Sequence, residues 1–250
     1  MREEGVVDLT DLGLVLRKVE FGDTIADVPA AFFSETEITN GMYADFLADT
    51  DQSRDDSRLE KAKANQRDLS TASTVVEIHD FAALWRKGAF PKDRRDHPVS
   101  FVSIDEATKF CKWLDIRYKL PGLFRLPTEE EWLFAAYGTD RKFPWGDAVK
   151  EYTAKSTEPV KARPDLKTPT GLYGMWGNVS ELVLSPWDGY GGKINDKYTP
   201  WITRWLGESY RTETIRGEAV KPRQDDWGYT HSRFSRSDEW GFRVVFIPDD

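Results

Sequence analysis

Apolar positions along this 250-residue chain change their period several times, and each change predicts an element. Residues 14–33 (LVLRKVEFGDTIADVPAAFF) read as short strands and a turn. The next stretch, 35–50 (ETEITNGMYADFLADT), reads as a strand running into a helix. Thr39 or Asn40 can cap that helix, and Met42, Tyr43, Phe46 and Leu47 form its apolar stripe. Ala107, Phe110, Cys111 and Leu114 repeat the helical spacing in ATKFCKWL. Two helix starts carry capping boxes, Ser103 with Glu106 and Thr128 with Glu131, in which each pair satisfies two otherwise orphaned backbone donors. The second of these helices buries Trp132, Ala135 and Ala136. Beyond residue 138 the periodicity fades. Gly, Pro and Trp scattered through 143–241 predict loops held by aromatic packing and backbone hydrogen bonds.

One segment breaks the apolar pattern. Residues 51–70 (DQSRDDSRLEKAKANQRDLS) contain no aromatic residue and are mostly charged or polar, which marks a solvated insertion extending to about residue 78. FAALWRKGAF at 81–90 returns to apolar character and is expected to dock on the core. With no internal repeat and no linker-like stretch, residues 1–250 read as a single domain.

Composition narrows the function classes. Apolar residues make up 39%, and ten Trp contribute to an aromatic content of 13%, which suits a globular core. The net charge of −8, without a basic run, leaves no electrostatic footprint for nucleic acid or an anionic membrane. No apolar run approaches the roughly 18 residues that read as a membrane span. The N-terminal MREEGVVDLTDLG lacks the apolar stretch of a secretory signal, so the expected location is cytoplasmic, or secreted if a signal peptide was removed. Cys111, the single cysteine, can form no internal disulfide, and its helical stripe predicts burial rather than reactivity. Lys109 and Lys112 turn away from that stripe. His79, His97 and His231 form no H-x-H or H-x-x-x-H pair, and His97, just before Pro98, predicts a structural hydrogen bond. There is no G-x-S-x-G, no P-loop and no dinucleotide-binding glycine box.

A set of spaced blocks carries more information. They are EITNGMYADFL at 37–47, HPVSFVSIDEATKFCKWL at 97–114, RLPTEEEWLFAAYG at 125–138, FPWGD at 143–147, GLYGMWGNVSEL at 171–182, RGEAV at 216–220 and WGFRVVF at 240–246. Their order and spacing resemble the sulfatase-modifying-factor family, which includes the formylglycine-generating enzymes. The resemblance covers roughly 14–247 and implies an α+β, C-type-lectin-like fold: a small antiparallel sheet, a few helices and long irregular loops. Enzymes of that family use two cysteines five positions apart, after an RGGSW stretch, to bind copper and oxidise a substrate cysteine. The corresponding stretch here is RGEAVKPRQDDW, with Pro222 and Trp227 at the cysteine positions and Glu218-Ala219 in place of Gly-Ser. Neither side chain supplies a thiolate, so that oxidase chemistry is not expected. The three iron-binding histidines of the family's sulfoxide synthases lie outside the lectin-like part and have no counterpart here.

The resemblance also implies structural calcium, held by an acidic or amide side chain in LYDM, carbonyls of the GNV segment and a following Glu. The carry-over gives Gly174, Gly177, Val179 and Glu181, and Gly174 removes one side-chain oxygen from a cation that takes six to eight. A second family calcium site, after PWG, has no clear counterpart. Asn178 is expected to satisfy loop amides.

The segment 221–240 (KPRQDDWGYTHSRFSRSDEW) falls where the family fold presents its ligand face. Asp226, Trp227, Tyr229, His231, Arg233 and Phe234 combine aromatics and Arg with small polar residues, a composition suited to recognition of a protein or small ligand. Retroelement-diversified variable proteins use the same fold and vary the same stretch. The alternatives are a variable ligand-binding protein of that retroelement-diversified type, a family enzyme (a metal-dependent oxidoreductase) using a different, unrecognised site, and a scaffold subunit acting through 51–70.

Overall fold

The computed structural model describes residues 5–25, 28–50, 92–150, 152, 154, 156–184 and 239–249, together with the backbone of 203–206. Five strands form an antiparallel sheet: β1 (Val6–Leu9), β2 (Leu14–Glu20), β3 (Ala30–Ser34), β4 (Gly122–Arg125) and β8 (Val245–Pro248), in the order β1-β2-β3-β8-β4. A smaller sheet has the order β6-β5-β7, from β5 (Ser180–Leu184), β6 (Thr203–Leu206) and β7 (Trp240–Gly241), and its β5–β7 pair is parallel. Among the described residues three α-helices accompany them: α1 (Asn40–Asp49), α2 (Ile104–Tyr118) and α3 (Glu129–Tyr137).

Strand parity divides the core. Successive side chains point to opposite faces of a sheet, and the register pairs Lys18 with Phe32, Arg17 with Phe33, Phe32 with Phe246 and Phe33 with Val245. Leu14, Leu16, Phe32, Phe124 and Phe246 therefore pack on one face, with α1 and α2. Val19, Ala31, Phe33 and Val245 pack on the other, with α3 and the loops after it. The first face is aromatic. Phe110 of α2 stacks on Tyr43 at 6.0 Å between ring centroids and meets Phe46, Trp113 and Phe242 edge-on or tilted at 5.2–5.5 Å.

The sequence-predicted helices are present. Thr39 caps α1 by accepting from the Met42 amide, and Met42, Tyr43, Phe46 and Leu47 are buried. Both capping boxes are closed, at Ser103–Glu106 and Thr128–Glu131. Two expectations change in detail. Residues 35–39 are not a strand: they join β3 to α1 with a single bridge, Thr39 to Pro98. The N-terminal VVDL, not expected as an element, is β1, paired with β2 from Val6–Arg17 to Leu9–Leu14. The insertion 51–78 and FAALWRKGAF lie outside the described residues. No helix among the described residues is long and apolar enough to cross a membrane.

Candidate functional site

The second face of the sheet closes around a buried polar network. Arg243 follows β7 and is fully buried, as is Glu181 in β5. The guanidinium donates from Nε to Glu181 Oε2 and from Nη2 to Glu181 Oε1, both at 2.6 Å. Its remaining donors reach the Ser34 and Tyr173 carbonyls at 3.2 and 2.7 Å. Trp132 Nε1 of α3 donates to Glu181 Oε2 at 2.7 Å. One carboxylate thus ties α3, β5 and the β7–β8 connection to the end of β3. Burial opposes the charge on Arg243, but the Glu181 carboxylate beside it raises the guanidinium pKa further.

Glu37 lies beside this pair and is also fully buried. Its Oε1 accepts from Asn178 Nδ2 at 3.1 Å, while Oε2 has no hydrogen-bond partner. Burial, and then the negative charge of Glu181, push its carboxyl up to about 7. Asn178 has the positive φ of 65° that Asn tolerates better than most residues. It spans the loops as expected: Oδ1 accepts from the Glu158 amide at 2.9 Å, and Nδ2 donates to the Glu158 carbonyl at 3.2 Å. The Asn178 amide itself donates to the Tyr152 hydroxyl at 2.8 Å. The Tyr152 ring lies against Gly177, where a Cβ would overlap it.

The residues implied as calcium ligands are therefore in the loop core. Gly177 faces Tyr152, Val179 is buried, and both Glu181 oxygens accept from Arg243 or Trp132 rather than from loop backbone. No group of three or more His, Cys, Asp or Glu among the described residues is arranged to hold a metal ion. Glu37 and Arg243 were not anticipated from sequence. At Arg243 the signal was a lone charge set among apolar residues, in GFRVV, whereas Glu37, in ETEIT, carried none.

Other sequence candidates occupy structural positions. Cys111 is buried, and burial raises its thiol pKa well above the ordinary value, the opposite of what a nucleophile or copper ligand requires. His97 Nδ1 lies 3.1 Å from Thr157 Oγ1, and burial lowers the imidazole pKa. An open cleft of about 480 Å³ is lined by Asp11, Thr39, Asp45, Arg95, Asp96 and Lys161, among others. Its charges are mixed. The first amides of α1 are already used, Asn40 and Gly41 donating to the His97 and Arg95 carbonyls, so the helix start offers no anion seat. Asp226, Trp227, Tyr229, His231, Arg233 and Phe234, like Pro222, lie outside the described residues, between β6 and β7 in the chain.

Known proteins resemble this arrangement. A family model described as a sulfatase-modifying factor enzyme 1-like domain matches residues 18–247. Hercynine oxygenase of Mycobacterium tuberculosis is 28% identical over 221 residues, covering 79% of this chain and 48% of that protein. The inactive C-alpha-formylglycine-generating enzyme 2 of Mus musculus is 31% identical over 174 residues, covering 59% of this chain and 54% of that protein. The chain spans about half the length of such curated relatives. Among solved structures, Treponema denticola variable protein 1 superposes with a TM-score of 0.59 at 18% identity, over 97% of this chain and 98% of that one. The likeness to that structure is one of fold, and the fold is the α+β, C-type-lectin-like one that the spaced blocks imply. The chain belongs to the sulfatase-modifying factor enzyme 1-like family.

Proposed function

We propose that this chain is a non-catalytic member of its family, a single domain that binds a protein or small ligand through its C-terminal loop face. The observation that carries the reading is the fate of the thiol chemistry. The sole cysteine, Cys111, is sealed in the apolar core on α2, and burial holds it protonated. Pro222 and Trp227 stand where the family resemblance places the cysteine pair, so the chain lacks the two thiolates on which that copper chemistry rests. Relatives named inactive, at 31–33% identity, make such a loss credible within the family. Rigid aromatics and Arg in 221–240 supply the composition of a recognition surface.

Hercynine oxygenases among the relatives favour a second reading, a family enzyme with a different site. The test has two arms. A sulfatase-type peptide incubated with the protein, with and without copper, is expected to show no conversion of cysteine to formylglycine by mass spectrometry, and conversion overturns the proposal. Trp227→Ala with Tyr229→Ala is expected to abolish partner capture from host extract while the circular dichroism spectrum and melt stay close to wild type. Arg54→Ala and Lys61→Ala in the insertion are expected to be silent. Loss of the partner by the insertion variants alone transfers the role to 51–70.

A further inference from the structure

Gly174 and Glu37 bear on the calcium that the family resemblance implies. Gly174 adopts a φ of 68°, and a Cβ built there would overlap the Glu37 carboxyl carbon and both its oxygens. The space that a side chain at 174 would use is already filled by a carboxyl group from another part of the chain. We infer that Gly174 and Glu37 are a complementary pair that closes this loop core without a divalent cation, with the Arg243 guanidinium as the resident counter-charge of Glu181.

Three observations support this. Glu181 Oε2 accepts two charge-assisted or indole N–H bonds and Oε1 accepts a third, all at 2.6–2.7 Å, so a cation would have to displace a buried guanidinium. Arg243 is anchored from the other side by the Ser34 and Tyr173 carbonyls, which hold it in place independently of Glu181. Glu37 is itself fixed in that space, since its Oε1 accepts from Asn178 Nδ2 at 3.1 Å. Calcium also takes six to eight oxygens, and Gly174 offers no side-chain oxygen.

The inference is tested on the full chain with calcium alone as the probe. A cation bound only by the folded state raises the melting temperature by mass action. After chelator treatment and dialysis, wild type is expected to take up no calcium by titration calorimetry and to melt at the same temperature with calcium or with chelator. Uptake of one calcium per chain, or a calcium-dependent rise in the melt, overturns the inference. The steric half is tested by a double-mutant cycle. Gly174→Ala and Glu37→Ala are each expected to lower the melting temperature. Combined, they are expected to lose clearly less than the sum, because removing the carboxyl vacates the space the new methyl needs. Strictly additive losses overturn it.

Discussion

The two faces of the five-stranded sheet are built from different materials. On the α1–α2 face, Phe110 sits among Tyr43, Phe46, Trp113 and Phe242, packed through their rings, and Trp113 Nε1 donates to Asp49 at 3.1 Å. On the α3 face, apolar residues frame a cluster in which Glu37, Glu181, Arg243 and Asn178 are buried together. The first face needs mainly shape. The second also needs every donor to find its acceptor, because a buried polar group without a partner loses its hydration for nothing. Long irregular loops favour the second solution, since they bring backbone groups into the core that no strand ladder or helix satisfies.

The largest expected effects come from breaking one member on each face. Phe110→Ala is expected to cost about 3–5 kcal/mol by loss of burial and creation of a cavity. Arg243→Met is expected to cost about 3–5 kcal/mol by leaving Glu181 buried without its counter-charge. The faces differ in repair. Adding Glu181→Gln to Arg243→Met removes the stranded charge and should recover part of the loss in urea unfolding, whereas no single polar change repairs Phe110→Ala. If Glu181→Gln deepens the Arg243→Met defect, the guanidinium was acting mainly through its bonds to Ser34 and Tyr173.

Titration gives a second contrast. Glu37's carboxyl is raised from its ordinary 4.5 to about 7, by burial first and Glu181 second. The folded state therefore holds this proton more tightly than the unfolded state. The stability it contributes is fully present below about 4.5 and is lost as pH rises toward 7. Glu35 works in the opposite direction. Burial pushes its carboxyl up, but Lys161 and Arg17 outweigh that and hold it down, so its contribution is lost only on acidification below the ordinary carboxylate range. Between about pH 5 and pH 8, Glu37→Gln is expected to flatten a fall in melting temperature that wild type shows. Equal slopes in the two proteins would remove Glu37 as the source.

A smaller loss is expected at the link between the loops. Asn178→Ala should cost about 1–3 kcal/mol, because the part-buried Glu158 amide and carbonyl and the fully buried Glu37 Oε1 lose their side-chain partner. The same substitution at exposed Lys119, another non-glycine residue of positive φ, tests whether backbone conformation alone explains the effect. If Lys119→Ala costs as much, the hydrogen bonds of Asn178 are not the cause.

The two faces also differed in how far the sequence revealed them. The α1–α2 face was legible because its helices carry periodic stripes and recognisable caps: Met42, Tyr43, Phe46 and Leu47 all lie where spacing puts them. The α3 face was legible at Trp132, Ala135 and Asn178 but not at its centre. Pairing Glu181 with Arg243 requires knowing that β5 and the residues after β7 are neighbours, across 62 positions of chain. Glu37 meets Asn178 across 141 positions, and no local pattern encodes that distance. Strand β1 was missed for a related reason, since VVDL is too short to declare itself before β2 gives it a partner.

The finest test compares the two capping boxes, which are chemically alike and differently placed. The Ser103 hydroxyl is fully buried; it accepts from the Glu106 amide at 3.3 Å and donates to Glu106 Oε2 at 3.0 Å. The Thr128 hydroxyl is only part-buried and accepts from the Glu131 amide at 3.2 Å. Its partner Glu131 is anchored independently by Arg125, through bonds of 2.7 and 2.5 Å. Removing a cap generally costs about 0.5–2 kcal/mol. Ser103→Ala should fall in the upper part of that range, because the buried Glu106 amide loses the hydroxyl that accepts from it. Thr128→Ala should fall in the lower part, because solvent can replace the hydroxyl and Arg125 still holds Glu131 over the helix start. Chemical denaturation of both variants measures the difference directly. A larger loss at Thr128 would mean that burial does not set the worth of these caps, and that the ion pair with Arg125 depends on the box rather than supporting it.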